Sequence, residues 1–244
     1  MVGVATKGSG SRATTIRVGP AILTWFAGWV AGMLLAGSFV LLALGADGDD
    51  YTISELALAT TASWLVMLAA LAFASRKYGT GDPVDDFLRH YALRFRAVDL
   101  VGVPVGVLGQ LVIVPLVYVP LRRLWPDPFS EAELEERAQE LADKANGWTV
   151  VLLVLVVVIG APIVEELVYR GLLQRSIAAS IGGVAGLLIT SAWFALVHPS
   201  PVEYPGLFLA GLMFGAGVLL TDRIGPSILT HAAFNATGLA LALW

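Results

Sequence analysis

The sequence predicts an all-α, polytopic transmembrane bundle of about seven to eight spans with an active-site cavity at membrane depth. Of its 244 residues, 57% are hydrophobic and only 14% are charged, against about 25% charged in ordinary soluble domains. The charges gather between long apolar runs, and runs of about 20 apolar residues are what a helix needs to cross a bilayer. Those runs are also continuous, whereas a membrane β-barrel would alternate in strands of about ten residues. The mean hydropathy of +0.78 agrees. A net charge of −4 gives no reason to expect nucleic acid. With no cysteine in the chain, a disulfide framework, a thiolate nucleophile and a thiolate metal site are all excluded.

Taken in order, residues 1–19 are polar and small and predict a disordered cytoplasmic N-terminus. Spans follow at 20–45, 54–75, 100–121, 148–169, 182–198, 205–221 and 226–243, the fifth and sixth being short and glycine-rich. The first has the length of a retained span and lacks a small-residue cleavage site, so it does not read as a removed signal peptide. With the N-terminus inside, eleven of the fifteen basic residues fall on inner segments, Arg170 and Arg175 among them. Only Arg122, Arg123, Arg137 and Lys144 fall outside, as the positive-inside rule requires. The acidic loop "ADGDDY" is then outer.

Two loops between spans carry helical patterns. "DDFLRHYALRFRAVD" spaces Phe87, Tyr91 and Phe95 as an amphipathic helix lying on lipid headgroups, with His90 as a surface histidine. "FSEAELEERAQELADKANG" opens with a capping box, Ser130 to Glu133, and reads as a solvated helix with Leu134, Ala138, Leu141 and Ala145 on one face. Small-residue pairs four apart, such as Gly28/Gly32, Gly102/Gly106, Gly182/Gly186 and Gly211/Gly215, predict close helix packing. Gln110 and Tyr118 predict hydrogen bonds between helices. Residues 20–145 thus form an N-terminal set of spans with amphipathic loop helices.

Ionisable groups at membrane depth cost about 2.5–3.5 kcal/mol each on insertion scales, and so mark functional sites. "GAPIVEELVYRGLLQ" places Glu165, Glu166 and Arg170 there, "FALVH" places His198, and "HAAFN" places His231 and Asn235. Glu166 and Arg170 are four apart and can pair on one helix face, while Glu165 is rotated about 100° away. One carboxylate is held by a cation and the other is free to act as a general base. His231 and Asn235, also four apart, can converge on one point as an oxyanion would need. Gly160 and Pro162 should kink the fourth span and open a cavity beside the carboxylates.

These three motifs resemble the pattern Glu-Glu-x-x-x-Arg, Phe-x-x-x-His and His-x-x-x-Asn/Asp of the CPBP family, which includes CAAX-type prenyl endopeptidases and bacteriocin-processing or Abi-type membrane proteins. The resemblance makes residues 146–244 the protease core and implies an intramembrane endopeptidase. It implies that Glu165 activates the attacking water with His198 assisting, that His231 and Asn235 stabilise the oxyanion, and that Glu166 and Arg170 hold the geometry. The family is described both as metalloproteases and as glutamate-dependent, metal-free enzymes. If zinc is held, its ligands would be Glu165, His198 and His231. Expected partners are membrane lipids and a peptide or membrane-protein substrate. An Ala-, Gly-, Val- and Arg-rich composition suits a GC-rich bacterial genome, and hence the inner membrane and an unprenylated substrate. Two other readings remain: a non-proteolytic scaffold or immunity protein, and a transporter or proton relay.

The span boundaries conflict with this site at one point. They place His198 near the outer end of span five and His231 near the inner end of span seven. For the site to assemble, span five must start later or tilt, or "RSIAASIGG" must dip into the bilayer.

Overall fold

The computed structural model describes residues 15–45 and 51–243 and is helical throughout, with no strand among the described residues. Nine helices order the described residues: α1 (Val18–Leu44), α2 (Ile53–Tyr78), α3 (Pro83–His90), α4 (Ala97–Leu124), α5 (Glu131–Lys144), α6 (Thr149–Ile181), α7 (Gly183–Leu196), α8 (Pro201–Thr221) and α9 (Gly225–Leu243). Five of them, α1, α2, α4, α6 and α8, are long and apolar enough to cross a membrane. The 14 residues of α7 rise about 21 Å, short of a hydrocarbon core of about 30 Å. The 19 residues of α9 nearly reach it. Most of "ADGDDY" and of the polar N-terminus lies outside the described residues. The expected disorder does not extend to residue 19, because Ile16 is buried in the core and α1 already begins at Val18.

Local chemistry sets the helix ends. Thr52 and Glu55 cap α2 reciprocally: the Thr52 hydroxyl accepts from the Glu55 N–H at 3.2 Å, and Glu55 Oε2 accepts from the Thr52 N–H at 2.7 Å. Arg76 and Lys77 close the same helix where its dipole favours cations. Asp82 caps α3, with Pro83 at the first helical position. The Ser130 hydroxyl accepts from the Glu133 N–H at 3.3 Å at the start of α5.

The interfacial helix expected over residues 85–99 does not form. α3 ends at His90, and Ala92 adopts a positive φ of 50°. Tyr91 turns into the core, its hydroxyl donating to the Leu71 carbonyl at 2.6 Å, whereas Phe95 stays exposed. His90 is a buried residue, not a surface one, sharing a 2.9 Å hydrogen bond with Ser75. Nor is α5 simply solvated, since Leu134, Ala138 and Leu141 face Phe234 and Leu239 of α9 across a cavity of about 300 Å³. Tyr118 links helices as expected: its hydroxyl donates to the Val202 carbonyl at 3.0 Å and accepts from the Gly206 N–H at 3.1 Å.

Close backbone approach builds the bundle. A Cβ on Gly106 would lie 2.2 Å from the Thr230 carbonyl oxygen, so α4 and α9 touch along their backbones. Gly32 meets Ser63 in the same way between α1 and α2. The largest departure from the expected spans is α6, which runs to Ile181 instead of ending near 169. "RSIAASI" is therefore helix and not a dip. Gly182, at φ 102° and ψ 154°, reverses the chain in a conformation open essentially to glycine alone. α7 then returns along α6, bringing the Phe194 ring to 5.3 Å from Tyr169.

This hairpin removes the depth conflict. Glu165 stands sixteen residues before the end of α6 and His198 fifteen residues after the start of α7, about 24 Å and 22 Å from the turn. The extension also takes Arg170 out of the inner segments, for it is buried within α6.

Candidate active site

The carboxylates of α6 occupy two different environments. Glu166 is fully buried, its Oε1 lying 3.1 Å from Arg170 Nη1 and 2.9 Å from His231 Nδ1. Arg170 is 1% exposed, donates to the Gly211 carbonyl at 3.0 Å, and lies 4.8 Å from the Phe194 ring. Glu165 keeps about 30% of its side chain exposed, and its Oε2 lies 3.8 Å from His231 Nε2. His231 is thus placed between the two acids and stacks on Phe214, with ring centres 4.3 Å apart.

Hydrogen bonding orients both imidazoles. An ionised Glu166 can only accept, so His231 Nδ1 carries the proton in that bond and Nε2 faces Glu165. His198 Nδ1 donates to the Phe194 carbonyl at 2.7 Å, which leaves Nε2 as the acceptor of a neutral ring.

Glu165 and His198 line one cleft of about 250 Å³ between α1, α2, α6 and the loop after α7. Its other walls include Trp25, Trp29, Trp64, Met67 and Tyr169. The first two helices therefore contribute to the site, which the three motifs gave no means of seeing. One signal was present: Trp64 falls mid-span, where the interfacial preference of tryptophan gives no reason for it.

Asn235 is not brought to this cleft. Its amide donates to the Val157 carbonyl at 2.8 Å, and the residue lines the separate cavity beneath α5. The cause is in α6, whose turns widen to π-helix over Leu155–Gly160 just before Pro162. Proline has no N–H to return to the preceding turn, and the Val157 carbonyl five residues back takes its donor from Asn235 instead. A second wide turn, Leu167–Gln174, holds Arg170 and is buried along its whole length; such turns often mark functional sites.

Among the described residues no three His, Asp or Glu side chains come together as a metal-holding group. Glu165, His198 and His231 as placed do not form the three-residue ligand set that zinc would need.

The sequence of residues 147–237 matches the family model described as "Rce1-like: Type II CAAX prenyl endopeptidase Rce1-like". Over that stretch the chain is similar to the CPBP family of intramembrane proteases. That stretch contains α6, α7, α8 and most of α9, and so every one of the six motif residues. The likeness supports a CAAX-type intramembrane endopeptidase in general terms, and together with the apolar helices it supports an integral membrane protein. The match does not reach α1, α2 or α4. No curated protein and no solved structure matches the chain.

Proposed function

We propose that the CPBP-like domain hydrolyses a peptide bond at membrane depth with a water activated by Glu165. The observation that carries this reading is the division of labour between adjacent acids. Glu166 is taken up by Arg170 and His231 with no exposure, while Glu165 faces an apolar cleft beside His198. A carboxylate so placed is a general base with room for a water and a substrate carbonyl next to it.

In this reading His198 Nε2 accepts one O–H of the water and Glu165 takes the other proton. The hydroxide adds to the carbonyl carbon, and the proton passes from Glu165 to the amide nitrogen as the C–N bond breaks. Glu166 and Arg170 hold the His231 ring, which lies behind the cleft wall with Nε2 3.8 Å from Glu165 Oε2, where a proton on that nitrogen would stabilise negative charge developing beside Glu165. Asn235 acts at a distance by fixing α6 against α9. The substrate is a peptide or membrane protein that reaches the cleft from the bilayer, and the composition favours a bacterial inner membrane.

The test compares membrane and secreted peptide termini in cells expressing the wild type or Glu165→Gln at matched levels. New termini that vanish in the variant are expected and would name a substrate. New termini that persist unchanged in the variant would exclude Glu165 as the base, and no new termini with either protein would favour a scaffold. Solute flux abolished by the same substitution would favour a transporter.

A further inference from the structure

We propose that Trp64, seated in a niche left by Gly160, sets together with Trp25 and Trp29 which segment the cleft accepts: an extended, apolar stretch with a bulky side chain beside the scissile bond. This rests on the reading of the Glu165 cleft as the hydrolytic site.

Size comes first. A helix with its side chains is about 10–12 Å across, and a cleft of about 250 Å³ cannot admit one. The segment must enter unwound, with its backbone at Glu165 and one side chain against the walls. The lining's polar groups are Glu165, His198, Ser63, the Tyr169 hydroxyl and the indole N–H groups, and the Ser63 hydroxyl is engaged by the Gly32 and Ala59 carbonyls at 2.9 Å. What remains is an aromatic and thioether surface that rewards apolar area.

The wall is built to a definite position. A Cβ on Gly160 would lie 2.2 Å from Trp64 Cζ3 and 2.5 Å from Cη2, so the indole rests directly on the α6 backbone, five residues before Glu165. Trp25 is buried, edge-on to Trp193 at 4.8 Å and stacked on Trp29 at 5.8 Å. Trp29 and Trp64 are half-buried and line the open space. The absence of a side chain at position 160 thus decides how far the indole stands from the reacting atoms. Enlarging residue 160 and shrinking residue 64 should move the specificity in opposite directions.

The experiment reconstitutes the full chain in phosphatidylethanolamine–phosphatidylglycerol vesicles with a pool of membrane-spanning peptides randomised at the two positions flanking a central bond. Cleaved products are read by mass spectrometry. Wild type should favour Leu, Ile, Met and Phe over Ala and Gly by about tenfold, the scale of a few buried methylenes. Trp64→Ala should shift the preference toward larger side chains, and Gly160→Ala, by pushing the indole into the cleft, toward smaller ones. Trp64→Phe gives the milder form of the first shift should Gly160→Ala fail to fold. Identical preferences in wild type and Trp64 variants, with cleavage still dependent on Glu165, would overturn the inference and leave the hydrolytic reading standing. So would a rate set by a prenyl group and indifferent to the flanking side chain. Absence of any Glu165-dependent cleavage would remove both.

Discussion

Glu166 and Arg170 form an ion pair with essentially no exposure, which His231 and the Gly211 carbonyl join. Removing one member of such a pair leaves a buried charge uncompensated, which costs about 3–5 kcal/mol. Glu166→Ala should therefore lower thermal stability in detergent severely, while Glu165→Gln, in a side chain that still reaches the cleft, should leave it nearly unchanged. Equal losses from the two would contradict the assigned division. A second residue-scale prediction concerns His90, which lies outside the spans. Burial foremost, with Arg89 and Arg175 adding and Asp86 opposing, holds its imidazole below the usual 6.5. Between the two values the unfolded chain binds more protons, so stability is full above about 6.5 and falls as pH drops toward the folded value. Asp86 is held below 3.8 by the Gly81 N–H and then by Arg89, and so titrates beneath this window. The melting temperature should fall between pH 7.5 and 5.5 more steeply in the wild type than in His90→Gln; parallel slopes would count against the assignment. The i, i+4 spacing made the Glu166–Arg170 pair legible in the sequence. The burial of His90 was not, because it depends on where α2 passes.

At the scale of the elements, the length of α6 and the turn at Gly182 decide whether the site assembles. Gly182→Ala forces a β-carbon into a conformation that costs on the order of 1–3 kcal/mol. It should lower stability by about that amount and also reduce cleavage, because α7 carries His198 to the level of Glu165. Normal activity in a destabilised Gly182→Ala protein would show that the hairpin does not set that level. Composition and run length made the helices legible, and the Gly28/Gly32, Gly102/Gly106 and Gly211/Gly215 pairs made their close packing legible, whereas Gly182 packs against nothing and serves the turn. The end of α6 was not, since polar "RSIAAS" reads as a loop and is instead held by packing, with Arg175 paired to Asp222. The displaced Asn235 has the same kind of cause: its partner is a carbonyl left over by Pro162 on another helix, and a one-dimensional motif carries no trace of that.

At the scale of the molecule, charge distribution predicts the N-terminus inside, the α3 loop inside and α5 outside. The chain contains no cysteine, so a single introduced thiol reports its side without background. Cysteine at Asp143 should react with a membrane-impermeant maleimide in intact cells, and cysteine at Asp85 only after permeabilisation; the reverse would invert the topology. The central claim is that Glu165, within a cleft closed by all four of α1, α2, α6 and the loop after α7, makes water the nucleophile. Its most direct test is the single-turnover cleavage rate of a substrate named by the terminus comparison, with purified wild type and Glu165→Gln reconstituted in the same vesicles. A loss of about 10²–10⁴-fold at unchanged melting temperature is the expected result for a general base. A rate within a few-fold of wild type would contradict it.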